Sequence, residues 1–283
     1  MSPRPHLDKP GSTAATARLL PLADVPAHRL AGLRGVLTDI DDTLTRDGQI
    51  EPVALAALHR LAAARLPVIA ITGRPAGWSE AFAMAWPVAA IVAENGAVML
   101  RRQVLPRQPP RLQIDYLDDA PTRAANALRL QACAQAVLHR VPGARLAQDS
   151  AGRLTDIAID HSEFSHLPPE QIAQVVALMQ AHGLTATVSS IHINGWIGRH
   201  DKASGARWAV TVALGQPYQP ADWLYVGDST NDEAMFEQVP LSVGVANVAR
   251  FVPLLRTLPA YLAPGERGLG FAQVADAVLA ARG

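Results

Sequence analysis

Residues 37–45 read Leu-Thr-Asp-Ile-Asp-Asp-Thr-Leu-Thr (LTDIDDTLT). Asp39, Asp41 and Asp42 place three carboxylates within four residues, just after the apolar pair Val36-Leu37. Clustered negative charge is unfavourable unless something neutralises it. The stretch therefore demands a counter-charge, either from elsewhere in the chain or from a bound cation. It also sets the architecture. Gly35 to Asp39 reads as a short buried strand that delivers its acids at the carboxyl end, where open parallel sheets bind ligands.

The pattern repeats downstream. Glu51-Pro52 opens a helix through Ala64, with Pro in the first turn and Leu55, Leu58 and Leu61 at helical spacing. Residues 67–72 are a second apolar strand, 78–86 a helix, and 89–93 a third strand ending at Glu94-Asn95-Gly96. Nearly all-apolar strands alternating with helices predict a parallel sheet covered on both faces. After the Pro-rich joint at 105–111 the composition changes. Helices are expected over 122–140 and 169–182. Strands are expected at 154–160, 184–190 and 192–197, and LTDIAID (154–160) alternates as a half-exposed strand should. The first pattern then resumes with a helix at 203–214, strands at 222–226 and 241–245, and a helix at 270–281. The expected fold class is α/β, a Rossmann-like parallel-sheet core with an inserted α+β cap domain. Residues 1–25 read as a loose tail, 26–103 plus 194–283 as the core, and 104–193 as the insertion.

Composition narrows the partners. The chain has 283 residues, 49% of them hydrophobic, enough for a sizeable core. Formal net charge is zero and no basic tract appears, so there is no electrostatic footprint for nucleic acid. Apolar runs fall well short of a membrane span, and the N-terminus does not read as a signal peptide. The lone Cys133 excludes an intramolecular disulfide and sits in a helical pattern as buried filler; a cytoplasmic setting is the default. Only Lys9 and Lys202 are lysines, and Lys9 lies in the presumed tail. The bland reading is codon bias. The sharper one is that Lys202 is needed as a compact ammonium that Arg would not match.

Polar clusters mark the strand ends: Asp39 and Asp41, then Thr72-Gly73-Arg74, then Gly227-Asp228-Ser229-Thr230-Asn231-Asp232. Singly, each is a turn or a helix cap. Together, Asp39, Asp41, Asp228 and Asp232 would converge on one rim, which suits a hard cation such as Mg²⁺. No Cys/His cluster with zinc spacing competes; His161 and His166 are expected at the surface. Such a rim, beside Thr72, Gly73 and Lys202, is a sensible phosphate site.

DIDDTLT, ITGR, the Lys of HDKASG, and GDSTND occur in this order. The chain thereby resembles the haloacid dehalogenase superfamily of phosphohydrolases. The insertion after the second motif resembles the subgroup with the larger mixed α/β cap, which includes sucrose-phosphate and mannosyl-phosphoglycerate phosphatases. The resemblance implies a Mg²⁺-dependent phosphatase acting on a small phosphomonoester such as a sugar phosphate. Asp39 would be the nucleophile, and Asp41 the general acid/base with its backbone carbonyl on the metal. Asp39 and Asp228 would be metal carboxylates, with Asp232 in or near the shell. Thr72, Gly73, Lys202 and Asn231 would hold phosphate. Asp42 stands where the family often has Gly and is assigned no chemistry. Ala203 replaces a Gly common after the Lys, with Gly205 close behind.

The insertion should act as a lid. Ser190, His192 and Asn194 share one strand face and could reach a substrate hydroxyl; the alternative is a polar outer face. Arg74 and Asn95 are either substrate contacts or loop anchors, and Trp196 is a hinge or packing residue. A phosphomutase, a phosphoacceptor module and a silent metabolite binder remain open on the sequence.

Overall fold

The computed structural model describes residues 19–283. The chain runs β1 (Leu20–Pro21), α1 (Ala27–Ala31), β2 (Gly35–Thr38), a small hairpin of β3 (Thr45–Arg46) and β4 (Gln49–Ile50), α2 (Pro52–Ala63), β5 (Val68–Ile71), α3 (Ala76–Ala85), β6 (Ala90–Ala93), β7 (Val98–Gln103) and β8 (Arg111–Tyr116). Next come α4 (Ala120–Arg140), β9 (Arg145–Leu146), β10 (Asp156–Asp160), α5 (Pro169–Ala181), β11 (Thr185–Val188) and β12 (His192–Trp196). The last elements are α6 (Lys202–Ala213), β13 (Trp223–Gly227), α7 (Glu233–Gln238), β14 (Leu241–Gly244), β15 (Tyr261–Leu262) and α8 (Arg267–Arg282).

Nine strands form the central sheet in the order β1-β15-β14-β13-β2-β5-β6-β7-β8. From β1 to β6 all neighbours are parallel; β7 and β8 add an antiparallel edge. Both faces are buried, as the apolar strands predict. Val36, Val68 and Ala70 pack with Leu58, Leu61 and Phe271 of α2 and α8. The alternate residues Leu37, Ile69 and Ile71 pack on the other face with Ala206 and Val210 of α6 and Met235 of α7. Each fully buried Leu or Ile contributes about 1.5–3 kcal/mol relative to exposure. Among the described residues no helix is long and apolar enough to cross a membrane.

The second unit is a four-stranded sheet, β11-β12-β10-β9, antiparallel throughout. Its Ile159 and Ile193 face α4 and α5, packing with Cys133, Val137, Val175 and Met179. Cys133 is thus buried filler. Strand alternation turns Asp156, Asp160, His192, Asn194 and Trp196 to the opposite face. That face is buried as well. The half-exposed character expected for 154–160 is absent, because the face away from the helices lies against the central sheet's carboxyl rim rather than in water.

The unit boundaries differ from the expected 104–193. The Pro-rich stretch is the turn of the β7–β8 hairpin, not an interdomain joint. Leu112, Ile114 and Tyr116 alternate onto the main core, and Arg101 pairs with Asp115 at 2.8 Å across the hairpin. The crossover into the smaller unit therefore follows Tyr116. The return crossing follows Trp196, because β12 remains in the small sheet to that residue. The tail expectation for residues 1–18 lies outside the described residues. Its last part is structured: Leu20–Pro21 pairs with β15, and Leu22 and Val25 are buried against the core.

One close approach positions the site. Asp201 caps α6: its side chain accepts from the Ser204 amide at 2.7 Å, and Ser204 Oγ accepts from the Asp201 amide at 2.9 Å. The capped end, carrying Lys202, rests on the turn at Glu94–Gly96. Gly96 adopts φ +115°, and a Cβ on Gly205 would meet the Gly96 Cα at 2.7 Å. Ala203 in place of the usual Gly causes no conflict, since the contact is made at Gly205. Gly205→Ala is expected to cost about 1–3 kcal/mol by overpacking backbone against backbone, read as a lower denaturation midpoint at unchanged m-value; an unshifted midpoint would show that the turn yields freely.

Candidate active site

β2 and β13 lie side by side at the sheet's centre, with Val226 opposite Thr38. The residues after them must share one rim. Asp39, Asp228 and Asp232 come together there, one oxygen from each lying within 4.8 Å of the others, and all three are buried. Lys202 enters from α6. Its ammonium lies 2.5 Å from Asp39 Oδ1 and 2.7 Å from Asp232 Oδ1. This ammonium, 2% exposed, is the protein's own counter-charge for the acids.

Asp232 is fully engaged. Oδ1 accepts from Lys202 and from the Tyr225 hydroxyl, and Oδ2 accepts from the amides of Asp228 and Ser229. Four donors fill the four lone-pair directions of a carboxylate. Asp232 therefore braces the loop and Lys202 from behind. Asp228 differs. Oδ2 accepts from Asn247 Nδ2 at 3.0 Å, while Oδ1 is buried and has no hydrogen-bond donor among the described residues. On Asp39, Lys202 is the one side-chain donor among the described residues. Orphaned oxygen on Asp228 beside the Asp39 carboxylate fits a divalent cation, since a hard ion takes such oxygens readily. The Asp41 carboxylate is engaged by Arg74 and is not among the three clustered acids, so its backbone carbonyl is what remains for the metal role expected of it.

Burial pushes the Asp39 carboxyl up to about 8; Lys202 opposes this, and the charges of Asp232 and Asp41 add to it. Burial likewise drives Asp228 well above the carboxylate range, aided by Asp39 and Asp232. Burial disfavours charge on Lys202, yet Asp232 and Asp39 together hold it above its ordinary value.

The end of β5 supplies the next wall. Thr72 is buried; its Oγ1 accepts from the Arg74 amide at 2.9 Å and makes a long 3.5 Å contact to Asp41 Oδ2. Gly73 borders a small cavity together with Asp39, Asp41, Arg74, Ser190, His192, Asn194 and Asn231. The cavity measures about 10 Å³, room for roughly one water. The structure therefore gathers Ser190, His192 and Asn194 over Asp39, and the alternative of a polar outer face is excluded. Asn194 is spoken for: its amide donates to the Gly73 carbonyl at 3.2 Å and to Asp156 at 3.3 Å. Asn231 accepts from Ser229 Oγ at 2.9 Å. Asn95, at φ +54°, donates its amide N–H to the Thr72 carbonyl, while its buried Nδ2 has no acceptor among the described residues.

Arg74 is 4% exposed and spans both units. Its Nε donates to both Asp41 oxygens at 3.0 and 3.2 Å. Its terminal nitrogens reach Asp149 at 3.0 Å and Glu163 at 2.7 Å, both in the cap. Burial opposes charge on Arg74, but Asp41 and Glu163 hold it above its ordinary value. For Glu163 burial works upward, and hydrogen bonds from His192 and Arg74 bring the carboxyl down to about 2.

Several residues escaped the sequence reading. Glu94, fully buried, accepts from the Ala76 amide, from the Leu154 and Thr155 amides and from the Thr155 hydroxyl, tying cap to core. Arg153 pairs with Asp156 and donates to the Gly73 carbonyl. Asn247 joins Asp228 to the Asp42 carbonyl. Its position just past an apolar strand, in Gly244-Val245-Ala246-Asn247, was the available signal. Asp149 and Glu163 carry no local signal. His161, expected at the surface, is buried and bonds Ser162 and the Ser189 carbonyl; His166 is exposed. Asp42 adopts φ +56° and pairs with Arg267 at 2.6 Å, as a turn acid should. Trp196 is buried and donates to the His200 carbonyl, a packing role.

Residues 36–109 match the sequence model of the haloacid dehalogenase-like hydrolase family. No curated protein sequence matches the chain. Solved structures share the fold. The Thermoplasma acidophilum 0175 protein superposes with a TM-score of 0.66 at 18% identity, covering 87% of this chain and 98% of its own. The sucrose-phosphatase of Synechocystis sp. PCC6803, solved with sucrose and phosphate, gives 0.61 at 16%, covering 87% and 98%. A haloacid dehalogenase-like hydrolase from B. subtilis gives 0.61 at 14%, covering 86% and 99%. The resemblance read from the motifs thus stands in the sequence match over residues 36–109, and the fold is shared over most of the chain.

The raised carboxyls make a prediction. Asp39 moves from an ordinary 3.8 to about 8 in the metal-free fold. A raised acid stabilises the fold fully below its unfolded value and loses that contribution as pH climbs to the folded value. Metal-free protein should lose stability between about pH 4 and pH 8, and a divalent cation should restore it. The rise in Tm on adding Mg²⁺ should accordingly be larger at pH 8 than at pH 5.5, and absent in Asp228→Asn. Equal shifts at both pH values would count against the carboxylate cluster as the cation site.

Proposed function

We propose that the protein is a Mg²⁺-dependent phosphatase that hydrolyses a small phosphomonoester, of the sugar-phosphate class, through an aspartyl-phosphate on Asp39. The observation that carries this reading is the Asp39 carboxylate, held by Lys202 beside the unpartnered Asp228 oxygen and facing the cavity under the cap. The sucrose-phosphatase likeness supports the substrate class. The single cysteine, buried in the cap, suits a reducing cytoplasm.

Asp39, Asp228 and the Asp41 carbonyl would hold Mg²⁺, with Asp232 bracing them. The cation would offset the charge of phosphate and of the acids. Lys202 neutralises both Asp39 and the incoming phosphoryl oxygens, while Thr72, the Gly73 amide and Asn231 orient them. An Asp39 oxygen bonds to phosphorus as the bond to the leaving oxygen breaks, and Asp41 gives that oxygen its proton. In the second step water bonds to phosphorus, its proton passes to Asp41, and Asp39 is released as carboxylate with free phosphate. The small space beside Asp39 adjoins a cavity of about 390 Å³ lined by Asp41, Arg74, Glu163, Ser190 and Ile191, which would receive the organic part of the substrate.

The test is phosphate release from a panel of sugar phosphates and other phosphomonoesters, with Mg²⁺ and with EDTA. Metal-dependent release by wild type, abolished in folded Asp39→Asn, is expected. Release that survives in Asp39→Asn would rule out the covalent route. Lys202→Arg should lower kcat/KM at least ~100-fold, because a planar fork does not replace the buried ammonium between two carboxylates. A wild-type rate in that variant would reduce the solitary internal lysine to codon bias.

A further inference from the structure

The cavity of about 390 Å³ has walls from both units. The core supplies Asp47 and Gly48, the two-residue turn between β3 and β4. They take φ +51° and +72°, the backbone of a tight hairpin turn that Asp-Gly suits. The turn sets Asp47 on the wall with no ion pair and no side-chain hydrogen bond among the described residues. The cap supplies Glu163, just past β10. Asp160 at the end of that strand accepts the amides of Ser162, Glu163, Phe164 and Ser165, which fixes the loop. Glu163 accepts from Arg74 and from His192 Nε2 at 2.8 Å, and its carboxyl, brought down to about 2, is charged at neutral pH.

The charge around this space is lopsided. Its cations are Arg74, Arg250 and Arg267. Arg74 serves Asp41, Asp149 and Glu163, Arg267 holds Asp42 at 2.6 Å, and Arg250 lies 4.0 Å from Glu266. Five carboxylates thus share three guanidiniums, and Asp47 adds a sixth with no partner. A second anionic group placed here would meet surplus negative charge, while every arginine of the lining already has an acid. A hydroxyl meets the opposite situation, since the free carboxylate oxygens accept its proton in a hydrogen bond.

We propose that Asp47 and Glu163 are specificity-determining residues: they admit an organic part that bears hydroxyls and exclude one that carries a second acidic group. The inference rests on the phosphatase reading and deepens it. The substrate class it names is a monophosphate of an uncharged sugar or polyol, as opposed to a sugar-acid phosphate or a bisphosphate. The two residues approach from different units, Asp47 from the core hairpin and Glu163 from the cap, so the exclusion acts on the organic part as a whole and not on one of its ends.

The test uses sorbitol 6-phosphate and 6-phosphogluconate, which share one open carbon chain and differ in a hydroxymethyl against a carboxylate at the far end. Each is titrated as a competitor of p-nitrophenyl phosphate hydrolysis with Mg²⁺, so that a compound bound without turnover is still read. In wild type, sorbitol 6-phosphate should have an inhibition constant at least ~10-fold lower, and the ratio should shrink in about 1 M NaCl, where the screening length is ~3 Å. Asp47→Asn, which a left-handed turn position tolerates as Asp does, should bring the ratio below about threefold, and Glu163→Gln should lower it as well. A residue that only shaped the fold would move both constants together and leave their ratio in place. Equal inhibition by the two compounds in wild type, competition by neither, or a wild-type ratio in both variants would overturn the assignment. If wild type releases no phosphate from any phosphomonoester, the phosphatase reading itself fails and this inference goes with it.

Discussion

The contact on which the site depends is the buried ammonium of Lys202 between Asp39 and Asp232. Carboxylates converge on this rim because the parallel sheet delivers its strand ends to one edge. Without a cation they would not coexist in a buried site. Removing one partner of a buried ion pair costs about 3–5 kcal/mol, since the remaining charge is left uncompensated. Lys202 supplies one positive charge for three acids, and the deficit appears in the raised Asp39 and Asp228 carboxyls. The cluster of Asp39, Asp228 and Asp232 could hold a second cation, which would offset that deficit.

Local structure serves that contact. The Asp201 cap sets where α6 begins, and so where Lys202 stands. The Gly96–Gly205 approach sets how near α6 comes to the sheet. Tyr225, in the middle of an apolar strand, spends its hydroxyl on Asp232. Asp232 returns the effect by pinning the amides of Asp228 and Ser229. Each of these bonds fixes a rotamer before any ligand binds, which is what electrostatic stabilisation at a reacting centre requires.

The cap is attached through a different set of charges. Glu94 gathers backbone donors from Leu154 and Thr155, and Arg153 and Asn194 both reach the Gly73 carbonyl. Burial raises Asp156 to about 7, with the Glu94 charge adding to the effect and Arg153 opposing it. The closed interface is therefore polar and directional rather than greasy. Polar contacts of this kind suit the lid role expected of the insertion.

The order of motifs, the covered parallel sheet, the insertion and the residues at the strand ends were all legible in the sequence, because strand periodicity and turn chemistry are local. Asp39, Asp41, Thr72, Lys202 and Asp228 needed only the rule that strand ends share a rim. What tertiary structure decided was pairing at a distance. Asp232 reads in the sequence like one more metal acid, and only its four donors show it to be a brace. The Pro-rich stretch at 105–111 reads as a joint, and only the pairing of β7 with β8 makes it a hairpin turn. Glu94, Asp149 and Glu163 carry no periodic or positional mark strong enough to single them out. Apart from the local Asp149–Arg153 pair, their partners lie between 18 and 89 residues away in the chain, and proximity of that kind is set by how the sheets pack.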